Sequence, residues 1–159
     1  MESTIMSRES IYFESIEVGD VIESIPRTIV ESDIWLFAYL TADFFPIHTD
    51  IEFARKTPFG ERIAQGMLVL SIALGMIDQV VLSRFDVSSV VAFFGIQNVR
   101  FLRPVFIGDT VKAISKVKEK VDRDEKSGVV TYQLEVKNQR DETVLTADYS
   151  VLIRKTPPE

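Results

Sequence analysis

The chain has 159 residues, 46% hydrophobic and 26% charged, a balance that suits one soluble globular domain burying its core without staples. It contains no cysteine, which excludes disulfides, thiolate metal sites and a cysteine nucleophile. The net charge of −6 argues against a nucleic-acid partner, which would lean on a basic surface, while leaving room for a local basic patch that meets an anionic ligand.

Residues 1–10 mix charge and polarity and lack the apolar core of a secretory signal, so the expected location is cytoplasmic. After the turn signal Gly19-Asp20, residues 21–30 read as a strand with Val21, Ile25 and Ile29 apolar. A helix follows. Thr28 and Glu31 have capping-box spacing, with Ser32 as a competing cap, and Ile34, Phe37, Ala38 and Leu40 give an apolar face. Pro46 disfavours helical geometry at Phe45, which places the helix end near Asp43 or Phe44. Thr49 and Glu52 form a second box opening a short helix, with Asp50 as the alternative cap, and residues 57–60 read as a loop.

Residues 66–82 are nearly all apolar. The run is shorter than the roughly 20 residues that span a bilayer and contains Asp78 and Gln79, so it predicts a helix buried on nearly all sides within the domain, with no membrane partner. The period then changes. Residues 96–102 look extended, Pro104 ends them, and Gly108-Asp109 turns the chain. Val111, Ala113, Val117 and Val121 alternate with Lys112, Lys116, Lys118 and Lys120, a strand with one wet face. Two more alternating strands follow, carrying Val130, Tyr132, Leu134 and Val136, then Leu145, Ala147, Tyr149, Val151 and Ile153, separated by polar turns at 122–128 and 138–142.

Segregated helices and strands with one polar sheet face predict an α+β class. An antiparallel sheet curved around one long buried helix satisfies both halves of the pattern, and that arrangement resembles a hotdog fold. Residues 1–159 read as a single domain with its core at about 16–153. One such sheet leaves an edge open, which favours a homodimer or a dimer-based oligomer.

The chain has one histidine, His48, in the segment Asp43-Phe44-Phe45-Pro46-Ile47-His48-Thr49-Asp50. With Asp43 on the last helical turn and Pro46 stiffening the bend, an acid and an imidazole can converge on one point, as general acid–base chemistry requires. The spacing alone also fits a helix-end acceptor and a surface histidine.

The order Asp43, Pro46, His48, Asp50, Ala54, Phe59-Gly60, Ile63-Ala64 and Gly66-Met67 resembles the signature of MaoC-like dehydratases, the hydratase-2 family. Val99-Arg100-Phe101, Arg103-Pro104-Val105 and Gly108-Asp109-Thr110 resemble its following strand-turn segment, so the likeness covers about 16–153. The resemblance implies an (R)-specific enoyl-CoA hydratase or the reverse dehydratase. Asp43 and His48 would together activate one water, their individual proton roles left open. The backbone N–H of Gly66 would meet the thioester oxygen at the start of the long helix. It further implies coenzyme A as part of the substrate, with neither a metal nor a separate cofactor.

Two positions depart from the family pattern: Phe45 stands where an asparagine is usual, and Gln65 where a histidine is frequent. Phe44, Phe45, Phe93 and Phe94 are candidates for an acyl pocket or for plain core. Arg100, Arg103 and Lys112 are candidates for coenzyme A phosphates or for a solvated face. The competing functions are a hotdog thioesterase, which would place a carboxylate on the long helix where only Asp78 is available, and a non-catalytic acyl-thioester-binding module.

Overall fold

The structure, a computed structural model, describes residues 9–157. In chain order its elements are β1 (Glu9–Ser10), a 3-10 turn (Phe13–Ser15), β2 (Val21–Glu23), β3 (Arg27–Thr28), α1 (Glu31–Thr41), α2 (Pro46–Thr49), α3 (Ile51–Ala54) and α4 (Gly66–Arg84). Then come β4 (Phe85–Asp86), β5 (Val90–Phe101), β6 (Thr110–Asp122), β7 (Ser127–Lys137) and β8 (Thr143–Arg154). The sheet runs β2-β6-β7-β8-β5, all antiparallel, with β3 also on β6. A short parallel ladder joins β1 to β4.

The period-two pattern places its apolar set on one face. Val111, Ala113, Ser115 and Val117 of β6, Leu134 and Val136 of β7, and Leu145 and Ala147 of β8 are buried. Helix α4 supplies the other half of the core through Leu68, Val69, Leu70, Ala73, Met76, Ile77 and Val80. Full burial of each large apolar side chain contributes about 1.5–3 kcal/mol, so the sheet–helix seam dominates the stability. A smaller cluster of Phe13, Ile16, Val117, Val130 and Ile153 closes the far end.

Three sequence expectations change. The strand expected at 21–30 is broken into β2 and β3, because Pro26 has no N–H for the ladder. There Ser24 accepts from the Ala113 N–H through its Oγ at 2.9 Å. Helix α1 starts after Val30, with neither Thr28 nor Ser32 as its cap; the Asp33 carboxylate reaches back to the Val30 N–H at 2.9 Å and to Arg27 at 2.6 Å. Helix α4 is not buried all round. Met67, Ser71, Gly75, Asp78 and Leu82 form an exposed stripe at helical spacing on this chain. By length and composition α4 could cross a bilayer, but its buried face is the partner of the sheet.

Candidate active site

Asp43 does not lie on the last helical turn. Helix α1 stops at Thr41, and Ala42 takes a left-handed conformation (φ 61°) that turns the chain out of the helix. A side chain at that φ is uncommon and costs about 1–2 kcal/mol, so the turn that delivers Asp43 is held by its surroundings. Asp43 accepts weakly from the Phe45 N–H at 3.4 Å. His48 lies inside α2, whose first residue, Pro46, needs no N–H there. Thr49 fastens the bend by donating to the carbonyls of Phe44 and Phe45, at 3.2 and 3.3 Å. Asp50, rather than Thr49, caps α3, accepting from the N–H groups of Glu52 and Phe53 at 2.8 and 3.0 Å.

The His48 ring is oriented by one bond: Nδ1 lies 2.7 Å from the Ile63 carbonyl oxygen. A carbonyl only accepts, so Nδ1 carries a proton, and the neutral form of the ring keeps its lone pair on Nε2. Asp43 and His48 both line a cavity of about 460 Å³, together with Phe59, Gln65, Gly66 and Phe101. Among the described residues the two side chains close no ion pair with each other, so both remain open to a third group.

The start of α4 forms the opposite wall. Its first bond within the helix is Val69 N–H to the Gln65 carbonyl at 3.2 Å, and no side chain caps it. The N–H groups of Gly66, Met67 and Leu68 are therefore without helical partners, at the end where the helix dipole favours negative charge. A Cβ on Gly66 would stand 2.7 Å from the Phe101 ring, so any side chain here requires that ring to shift. Gln65 is 2% exposed and its Oε1 has no hydrogen-bond partner among the described residues. Leaving a buried acceptor unmet costs about 1–3 kcal/mol.

The remaining candidates separate. Arg103 lines the cavity and pairs with Glu142 at 3.6 Å. Arg100 donates to the Val99 carbonyl, and Lys112 pairs with Glu23 at 3.1 Å; neither lines the cavity. Phe44 and Phe45 beside α2, and Phe93 and Phe94 on β5, are exposed and do not line this cavity. Its aromatic walls are Phe59 and Phe101, which lie in the segments that carry the family resemblance but were not among the acyl-pocket candidates. A second cavity of about 370 Å³ lies at the other end of α4, lined by Asp78, Tyr132 and Tyr149 among aliphatic side chains. Burial pushes the Asp78 carboxyl up from its ordinary value and the Tyr132 hydroxyl up to about 12. Buried Ser115 and Tyr149 hydrogen-bond each other there at 2.7 Å.

The profile of the MaoC like domain matches residues 14–139. This chain belongs to the MaoC-like domain family. An (R)-specific enoyl-CoA hydratase of Rhodospirillum rubrum is 42% identical over 102 residues, covering 64% of this chain and 66% of that protein. Protein MaoC of Klebsiella aerogenes is 36% identical over 116 residues, 73% of this chain but 33% of its own length. The chain thus spans about a third of one curated relative and just under two thirds of the other. A solved structure from Archaeoglobus fulgidus, described as a monoamine oxidase regulatory protein, is 74% identical with a TM-score of 0.94, covering 96% of this chain and 100% of that one. A Mycobacterium tuberculosis protein described as a double hotdog fold aligns with a TM-score of 0.78 at 18% identity, covering 94% of this chain and 46% of that one. The MaoC-like chain accordingly has the hotdog fold, α+β, with α4 as its central helix.

Proposed function

We propose that this MaoC-like chain adds water to trans-2-enoyl thioesters, giving (R)-3-hydroxyacyl thioesters, or runs the reverse dehydration. The observation that carries the reading is the single His48 tautomer, with Nδ1 anchored on Ile63 and Nε2 free, across one cavity from an uncapped helix start. Water held by Asp43 and His48 gives up a proton as its oxygen bonds to the β-carbon. The alkene electrons move toward the thioester oxygen, where the Gly66 N–H and the helix dipole stabilise the growing charge. Collapse of that enolate takes a proton at the α-carbon, so one water adds overall and no oxidant is used. Coenzyme A is part of the substrate here, and Arg103 at the cavity wall is the cation best placed for its anionic portion.

The (R) configuration and the substrate class rest on the enzymes this chain resembles, among them the Rhodospirillum hydratase. The thioesterase alternative is disfavoured by Asp78, which lines the other cavity and shares no wall with His48. A protein serving regulation alone would need neither an oriented imidazole nor open helix N–H groups. Two copies are expected to pair along β5, whose outer edge has no neighbouring strand among the described residues and which exposes Val91, Phe93, Phe94 and Ile96.

The test is loss of enoyl-thioester absorbance on mixing the protein with crotonyl-CoA, followed by chiral analysis of the product. Formation of (R)-3-hydroxybutyryl-CoA, abolished in His48→Gln, supports hydration. Release of free thiol with no loss of the enoyl group, across short, long and branched substrates, overturns it in favour of hydrolysis.

A further inference from the structure

The cavity toward the end of α4 has hydrogen-bond donors left over in an apolar setting. Tyr132 of β7 and Tyr149 of β8 are direct cross-strand partners, and their rings stack with centroids 5.0 Å apart and planes 12° from parallel. Both line the cavity, as does Ser115 of β6. Ser115 is 1% exposed and Tyr149 6% exposed, and their hydroxyls share one hydrogen bond of 2.7 Å. Two hydroxyls carry two hydrogens, and the bond between them uses one. The other hydrogen of that pair, and that of the Tyr132 hydroxyl, find no acceptor among the described residues. Burial pushes both phenols up, Tyr132 to about 12, so both keep their protons at neutral pH. The charged groups of the lining, Asp20, Asp78 and Arg84, lie on exposed residues that water can serve. Most of the remaining wall is aliphatic, with Ile22, Ile77, Val81 and Val151 among its residues.

We propose that this cavity is a second binding site, which takes a neutral, mainly apolar molecule carrying one carbonyl oxygen, such as a ketone or an ester. A carbonyl oxygen has two lone pairs and no hydrogen, so it can use both leftover hydrogens and brings none of its own. An ammonium would add donors where donors are already in excess. A carboxylate would enter without a buried cation to balance it, and would meet the carboxyls of Asp20 and Asp78 at the same wall. An apolar body suits the aliphatic residues, and about 370 Å³ is the scale of a small-molecule pocket. The donors are set before any ligand arrives. Turning either tyrosine away would break the stack between the strands and, for Tyr149, its bond to Ser115, so binding has little left to order. The site shares no lining residue with the Asp43–His48 cavity. It is therefore separate from the proposed water-adding site and holds whether or not the chain hydrates enoyl thioesters.

Calorimetric titration of the full chain with 2-heptanone tests this. One ketone per chain is expected to bind, with heptanoate and heptylamine each weaker by at least about tenfold at pH 7. Tyr132→Phe keeps the ring and its stack and removes one donor. It is expected to weaken the ketone by about five- to tenfold, with a melting temperature close to wild type. A crystal structure of the wild type with 2-heptanone should place the ketone oxygen within hydrogen-bond distance of the Tyr132 hydroxyl. The ligand series and the crystal structure use the unaltered chain, so they decide the matter even if the variant does not fold. Four results would each overturn the proposal. They are no binding up to the solubility limit of the ketone, heptylamine or heptanoate binding as tightly as the ketone, unchanged ketone affinity in folded Tyr132→Phe, and a ketone seated in the Asp43–His48 cavity instead.

Discussion

Helix α4 borders two cavities of similar size, about 460 Å³ at its start and about 370 Å³ toward its end. The first holds an oriented imidazole, a carboxylate and the uncapped backbone N–H groups of a helix start. The second mixes aliphatic walls with Asp20, Asp78 and Arg84, and its most deeply buried hydroxyls, on Ser115 and Tyr149, hydrogen-bond each other. Volume does not distinguish them; the pairing of an imidazole and a carboxylate with a helix N-terminus does. A helix is also electrically asymmetric, and only its N-terminal end favours the negative charge of a developing enolate.

The largest effect should come from removing the dyad. Asp43→Asn and His48→Gln are each expected to lower kcat/KM for enoyl thioesters by about 10²–10⁴-fold, measured by the absorbance assay, with melting temperatures close to wild type. Asp78→Asn in the other cavity should leave that activity within about twofold. Equal losses in all three variants would erase the contrast between the two ends.

Next in size are core and packing changes. Leu134→Ala, under the middle of the sheet with no exposed area, is expected to cost about 2–5 kcal/mol in denaturant unfolding. Gly66→Ala drives a methyl group into the Phe101 ring and should cost about 1–3 kcal/mol. Adding Phe101→Leu should restore stability. Activity recovered along with it would make Gly66 a packing residue; activity still low would mean that substrate must approach its backbone closely.

The smallest effect is a pH dependence. Burial raises the Asp78 carboxyl above its unfolded value, so its charged form disfavours folding. Asp78 therefore costs no stability below pH 3.8, and its cost grows as pH rises through the folded value. Thermal melts should show Asp78→Asn slightly more stable than wild type at pH 7, with the difference vanishing at acid pH.

What the sequence disclosed follows the range of the forces involved. The start of α4 at Gly66, the alternation of β6, β7 and β8, and the Gly108-Asp109 turn are written in neighbouring residues and stand in the structure, except that the irregularity between Val117 and Glu119 turns Val121 out to solvent. The Asp43–His48 pair was legible through a spaced pattern, and the structure brings both to one cavity. The cap at Val30 escaped, because valine offers no side-chain acceptor and Asp33 supplies one from inside the helix. Phe59 and Phe101 as cavity walls, the Ile63 anchor on His48, and the Ile34 tie on Gln65 all join residues far apart in the chain. No local period encodes such contacts. Pro26 was a missed signal that was local, since a strand interior cannot use a residue without an N–H.

His48 is the sole histidine in the chain, and its Nδ1 is committed to Ile63. The protein thus carries a built-in spectroscopic reporter. Uniform ¹⁵N labelling would give a single imidazole signal pair, whose two nitrogen resonances announce the tautomer without any assignment. A titration of that pair would follow the site through substrate binding in one unlabelled-ligand experiment.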